Sequence, residues 1–252
     1  MRYLVLSDIH ANLEALKAVL ADAQRSRWDA VVFLGDAVGY GSRPEECLQL
    51  LKSLKPVVCL LGNHDTMLLG LGRDHPETTR VDGLVHGALR RHRAELSANS
   101  LEFLGTFTPS FTARSWQAVH GALRTPWEYM DTLAAARENA PWLRRPLCLF
   151  GHTHVPAIYA AVEHDGETLW RSVQLEEGRG SYRLAPDVSA FFNPGSVGQP
   201  RDGFPAASYG LFDTDSRRLE VRRVTYDTEL ARSDMLDRGY APVLADRLVD
   251  GH

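Results

Sequence analysis

Cysteine is scarce: Cys47, Cys59 and Cys148 are three residues among 252. No CxxC pair occurs, which excludes thiolate zinc and iron–sulfur sites. An odd count, with Cys59 and Cys148 in apolar runs, reads as reduced thiols in the interior rather than a disulfide frame. Long apolar runs are missing too. None approaches the ~18 residues of a membrane span. The opening apolar stretch is broken at Ser7 and Asp8, too short for a secretion signal, so a cytoplasmic protein without membrane contact is expected. Basic charge is not in excess. Twenty-eight Lys+Arg against 32 Asp+Glu give −4, which carries no nucleic-acid footprint. No HExxH, internal repeat or low-complexity segment is found. Against these absences stand ten histidines.

The chain begins with short continuous apolar runs separated by helical patterns. Arg2–Ser7, Val31–Leu34 and Val57–Leu61 read as strands. Leu13, Leu16, Val19 and Leu20, then Cys47, Leu50, Leu51 and Leu54, recur at helical spacing, and Pro44 suits a first helical turn. That is a βαβαβ start on a covered sheet. Residues from about 67 to 108 read as a helical segment. Trp116–His120 and Leu147–Phe150 read as strands, with a helix over Asp131–Asn139 between them. From Ile158 to Tyr226 strand-like runs alternate with turns. A last helix is expected over Thr228–Arg238, with a weakly specified tail. One domain over residues 1–252 is the expectation.

Each early apolar run ends in a polar cluster: Asp8-Ile9-His10, Gly35-Asp36-Ala37-Val38-Gly39, and Gly62-Asn63-His64-Asp65. His120-Gly121 and Gly151-His152-Thr153-His154 close two later runs. Ligand sites of α/β sheets lie beyond the carboxyl ends of the strands, so the clusters converge on one edge. Unpaired Asp and His beside buried strands are costly, and metal coordination explains their gathering. Two Asp, one Asn and four His exceed one tetrahedral set. They fit two ions sharing a carboxylate, an arrangement that clamps displacement at phosphorus.

In order and spacing these blocks resemble those of the calcineurin-like metallophosphoesterases, above all the small prokaryotic phosphodiesterase-type members. Asn193-Pro194-Gly195-Ser196-Val197-Gly198-Gln199-Pro200-Arg201 is similar to that group as well. The resemblance implies a four-layer α/β/β/α sandwich of two mixed sheets flanked by helices. It implies two divalent cations, manganese first, with iron, zinc, nickel or cobalt also suited to such donors. Asp8, His10, Asp36 and His154 would hold one; Asp36, Asn63, His120 and His152 the other. A metal-bridging hydroxide would attack phosphorus. His64 would act as general acid, with Asp65 orienting its ring.

The substrate implied is a small phosphodiester or phosphomonoester, nucleotide-type among them. A phosphoprotein, a dinucleotide polyphosphate or a nucleic acid is the alternative on the same site, and a non-catalytic module on this fold is a further one. Asn12, Tyr40, Arg124 and Arg201 are candidate substrate contacts. Trp127 and Tyr129 either pack or form a rim. The helical segment 67–108 is expected to cover the site and shape specificity. His75, His86, His92, His164 and His252 lie outside the blocks and read as surface histidines. A homo-oligomer is compatible with the sequence.

Overall fold

The computed structural model describes residues 1–70, 83–186 and 188–252. Among them are eight α-helices and two six-stranded mixed sheets. The first sheet is built on β1 (Arg2–Leu6), β2 (Ala30–Phe33) and β3 (Val58–Cys59). The crossover helices α1 (Leu13–Ala23) and α2 (Pro44–Ser53) make these strands parallel neighbours. The second sheet begins with the short strand β4 (Ser110–Thr112), then β5 (Trp116–Val119), β6 (Leu147–Leu149), β7 (Ala157–His164) and β8 (Glu167–Ser172). It takes β10 (Ser189–Asn193) between β6 and β7, while β9 (Gly180–Arg183), β11 (Ala207–Asp213) and β12 (Arg218–Val224) complete the first sheet.

Side-chain alternation sorts these strands into layers. Leu4 and Leu6 of β1 join Val31 and Phe33 of β2 under the helices, whereas Val5 and Val32 point into the space between the sheets. There they meet Trp116, Leu147, Ile158 and Phe192. On the far side of the second sheet, Cys148, Phe150 and Phe191 pack against Ala136 of α6 (Leu133–Asn139). The order is helix, sheet, sheet, helix, as the resemblance implied.

One expectation changes. The chain does not end in one helix: α7 (Thr228–Asp237) is followed by α8 (Pro242–Asp250), whose Leu244, Ala245 and Leu248 are buried. Pro242 at its first turn and Leu244, Ala245 and Leu248 on one face were the available signal for the second helix. The segment 67–108 is helical where described: α3 (Asn63–Gly70) enters it, and α4 (Gly83–Glu95) and α5 (Ala98–Leu104) follow. Residues 71–82, with His75, and the side chain of His164 lie outside the described residues.

Candidate metal centre

The five clusters meet at one edge. Asp8 and His10 follow β1, Asp36 follows β2, Asn63 opens α3, His120 follows β5, and His152 and His154 follow β6. Asp8, His10, Asp36 and His154 form one group of potential ligand atoms, all within 4.8 Å of one another. Asp36, His120 and His152 form a second under the same limit, so Asp36 is common to both. His10 Nε2 lies 3.6 Å from Asp36 Oδ2, and His120 Nε2 lies 3.4 Å from the same oxygen. His154 Nε2 is 3.3 Å from Asp8 Oδ1.

The backbone of these loops is strained. Asp8, His10, Asp36, His152 and His154 all have φ between 48° and 67°. Such left-handed residues cost of order 1–3 kcal/mol each and persist where the surroundings over-determine them. The surroundings here are a lattice of peptide bonds: Asp8 N–H donates to Gly35 O at 2.9 Å, His10 N–H to Asp36 O at 3.0 Å, and Gly151 N–H to His120 O at 2.7 Å. Gly62 is required by close approach, since a Cβ there would lie 1.9 Å from Asp36 Oδ1. Gly35 has φ +110°, and a Cβ would meet His120 Nδ1 at 2.6 Å.

Each carboxylate has one oxygen engaged and one left over. Asp8 Oδ2 accepts from Ser7 Oγ at 2.5 Å and from His152 N–H at 3.1 Å, while Oδ1 has no hydrogen-bond partner. Asp36 Oδ1 accepts from His64 N–H at 2.9 Å, and its buried Oδ2 is unpartnered. Asn63 Oδ1 and His120 Nε2 are likewise buried and unpartnered. Orphaned buried groups of this kind are rare. Three of them, on Asp8, Asp36 and His120, lie within the two groups of potential ligand atoms beside three further imidazoles, a donor set that divalent cations would satisfy.

The imidazoles are oriented for that purpose. Nδ1 of His10, His120 and His154 faces a backbone carbonyl, of Val38, Leu34 and Gln199, at 2.9, 2.8 and 2.6 Å. A proton held there leaves Nε2 free as a ligand. His152 is reversed: its Nε2 faces Trp127 O at 3.2 Å, which leaves Nδ1 for the metal side. Burial holds His10 well below the usual histidine range and pushes His152 down to about 4, the neutral form a ligand needs. Burial opposes charge on His120 as well, but Asp36 and Asp8 raise it to about 9. Both carboxyls are held below the ordinary range against the cost of burial, Asp8 chiefly by His154 and Asp36 chiefly by His120. The pocket thus calls for positive charge, which a proton on His120 or a cation can supply.

The His64 ring hydrogen-bonds none of the ligand side chains, although the residue's backbone N–H donates to Asp36. Its ring lies 4.9 Å from that of His10 and 4.7 Å from that of Tyr40, with Nδ1 buried and unpartnered. Burial pushes it down to about 4 despite Asp36. Asp65 does not orient this ring. Its carboxylate accepts four backbone N–H groups, from Asp36, Ala37, Val38 and Gly62, at 2.8–3.3 Å. It therefore ties the second cluster to the third.

The substrate candidates divide. Asn12 caps α1, its Oδ1 accepting from Ala15 N–H at 3.1 Å, and its Nδ2 donates to Gly198 O and Tyr226 Oη. Both amide hydrogens are thus spent, and no donor is left for a phosphoryl oxygen. Arg124 sits on the surface and is paired with Glu128 and Glu138. Tyr40 and Arg201 do reach the site. The Arg201 guanidinium donates to Tyr40 Oη at 3.2 Å, to Gln199 Oε1 at 2.9 Å and to Tyr129 Oη at 3.4 Å. Tyr129 stands 4.3 Å from the His152 ring, so it belongs to the rim.

His92 departs furthest from expectation. It is fully buried on α4, accepts Gly39 N–H at Nδ1 (3.1 Å), and its Nε2 faces Gly41 O at 2.8 Å. It grips the loop on both sides of Tyr40. Its place on the apolar stripe with Val85, Ala88 and Leu89 was the available signal. Asn193 was visible only as part of a motif. Its Nδ2 donates to Gly151 O and Thr153 Oγ1, both at 2.9 Å, and so braces the histidine loop.

Comparison with known proteins agrees with this geometry. Residues 1–217 match the profile of the calcineurin-like phosphoesterase superfamily domain. A metallophosphoesterase from Sphaerobacter thermophilus superposes with a TM-score of 0.84 at 36% identity, covering 100% of this chain and 99% of its own. Phosphodiesterase YfcE of Escherichia coli is 25% identical, over 85% of this chain and 89% of its own. A symmetrical bis(5'-nucleosyl)-tetraphosphatase of Coxiella burnetii is 28% identical over 56% of this chain, which spans 49% of that protein. The chain belongs to the calcineurin-like phosphoesterase superfamily.

Proposed function

We propose that the protein hydrolyses a small phosphodiester or phosphomonoester with the help of two divalent cations, manganese first among them. The observation that carries this reading is the set of four buried, unpartnered donor atoms on Asp8, Asp36, Asn63 and His120. Asp8, His10, Asp36 and His154 would hold one cation, and Asp36, Asn63, His120 and His152 the other. Bound there, divalent cations neutralise phosphoryl charge and lower the pKa of water toward ~7. Two carboxylates leave such a pair with net positive charge, which suits an anionic substrate.

The chain's own groups do the rest. The carbonyls of Val38, Leu34, Gln199 and Trp127 keep the four imidazoles in register. Arg201, held by Tyr40, Tyr129 and Gln199, offers a cation to a phosphoryl oxygen at the rim. His64 delivers the proton to the leaving oxygen, from Nε2, since its Nδ1 is shut in. Burial, helped by His154 and the Arg201 cation, keeps that ring neutral, so a phosphoryl anion beside it is the charge that would hold the proton. A dinucleotide polyphosphate is the second reading, supported by the partial match to the Coxiella enzyme.

The test is hydrolysis of bis-p-nitrophenyl phosphate with Mn²⁺, run alongside metal analysis. Turnover with bound metal is expected; the absence of both would contradict the reading. His64→Ala is expected to lower kcat about a hundredfold with metal content unchanged. Full activity in that variant would remove the acid role.

A further inference from the structure

Beside the ligand cluster lies a cavity of about 510 Å³, within the ~300–1,000 Å³ of ordinary ligand pockets. His120 is among the residues of its wall, so the cavity and the cluster share that residue. Trp127 is another. Its carbonyl faces His152, and its ring centroid lies 6.0 Å from that of His120. Phe111, Leu123 and Trp142 add apolar walls. Trp142 closes a 3-10 turn over Ala140–Trp142 and is 47% exposed. An indole left this open gains little for the fold, and a flat partner would bury it. Among the described residues no carboxylate lines the cavity, and Arg144 is its surface cation.

We propose that this cavity seats the planar aromatic group borne by the phosphoester substrate, by chemical class a nucleobase. The inference rests on the phosphoesterase reading above and supplies its specificity. Neutral aromatic faces suit walls of Trp, Phe and Leu, and a guanidinium can stack on such a ring. One surface arginine is too little charge for a second anionic group. The shared wall at His120 fixes the direction: the phosphorus lies over the ligand cluster and the ring extends past Trp127.

The test uses the full-length, Mn²⁺-loaded chain with adenosine, which has a base but no phosphate to hydrolyse. Tryptophan fluorescence titration is expected to show adenosine binding and no binding of methyl β-ribofuranoside, which lacks the base. Trp142→Ala, at an exposed position where folding is spared, is expected to weaken adenosine about tenfold, with Trp142→Phe restoring most of it. The KM for bis-p-nitrophenyl phosphate should rise in parallel, with kcat little changed. Equal binding of adenosine and methyl riboside overturns the proposal, as does an unchanged adenosine affinity in Trp142→Ala. The two readings fail separately. No turnover by a chain that still binds adenosine contradicts the phosphoesterase reading. Turnover with a KM indifferent to Trp142→Ala contradicts the cavity's role.

Discussion

The ligand cluster and the collar around it are both buried and both polar, yet they differ in what their polar atoms touch. In the cluster, Asp8 Oδ1, Asp36 Oδ2, Asn63 Oδ1 and His120 Nε2 have no protein partner. In the collar, Asn12, Asp65 and His92 spend their hydrogen-bonding atoms on the backbone or a neighbouring side chain. A buried polar group costs free energy unless it is bonded. A fully bonded one is therefore explained by the fold, and an orphaned one asks for a ligand. His64 and His92 show the contrast within one residue type. Burial pushes both down to about 4, but only His64 retains an unpartnered ring nitrogen.

Substitutions can break or sharpen that contrast. The largest effect is expected in the cluster. Asp36→Asn should lower kcat/KM by at least about a thousandfold, because several kcal/mol of charge stabilisation is lost. Its thermal stability without metal should fall less than that of Asp65→Ala, since Asn can keep an oxygen for His64 N–H and Asp36 Oδ2 has no hydrogen bond to lose; a large loss of stability would place Asp36 with the collar. Asp65→Ala is the collar's counterpart. It strips four backbone N–H groups of their acceptor and should destabilise the chain by about 2–4 kcal/mol in denaturant unfolding. Metal affinity should fall about 10–100-fold as the two loops loosen.

His92→Phe should cost about 1–3 kcal/mol, leaving Gly39 N–H and Gly41 C=O unsatisfied. It should also alter the pH dependence of stability. The folded state binds the His92 proton more weakly than the unfolded state does. The stability His92 contributes is thus complete above the ordinary histidine range and is lost as pH falls from about 6.5 toward about 4. The wild-type chain should therefore show a steeper acid loss than the variant, and parallel curves would argue against a neutral His92 clamp. The smallest effect belongs to Asn12→Ala, about 1 kcal/mol from the lost helix cap, with kcat/KM unchanged. A marked rise in KM would return Asn12 to the substrate site.

The cluster was legible in the sequence because its signal is local. Asp8-Ile9-His10 and His152-Thr153-His154 stand at the ends of apolar strands, and parallel strands deliver their carboxyl ends to one edge. The collar was less legible because its roles depend on distant partners. Asp65 looks like an acid beside His64, yet its partners lie mainly in residues 36–38, brought in by β2–β3 pairing. Arg124 follows His120 closely in sequence, but Glu138, on α6, together with nearby Glu128, turns it away. His92 lies on the buried stripe of α4 with Val85, Ala88 and Leu89, but its partners Gly39 and Gly41 belong to a distant loop. The layers followed from continuous apolar runs. α8 was missed in the weakly specified tail, although Pro242 at its start and Leu244, Ala245 and Leu248 on one face were a local signal.

The central claim is that the orphaned atoms form two sites joined through Asp36. Manganese bound per chain at equilibrium, measured on the purified wild-type protein and on Asp36→Asn, tests it most directly. Two ions per wild-type chain and none tightly held by the variant are expected. A single ion in the wild type, or two retained in Asp36→Asn, would contradict it.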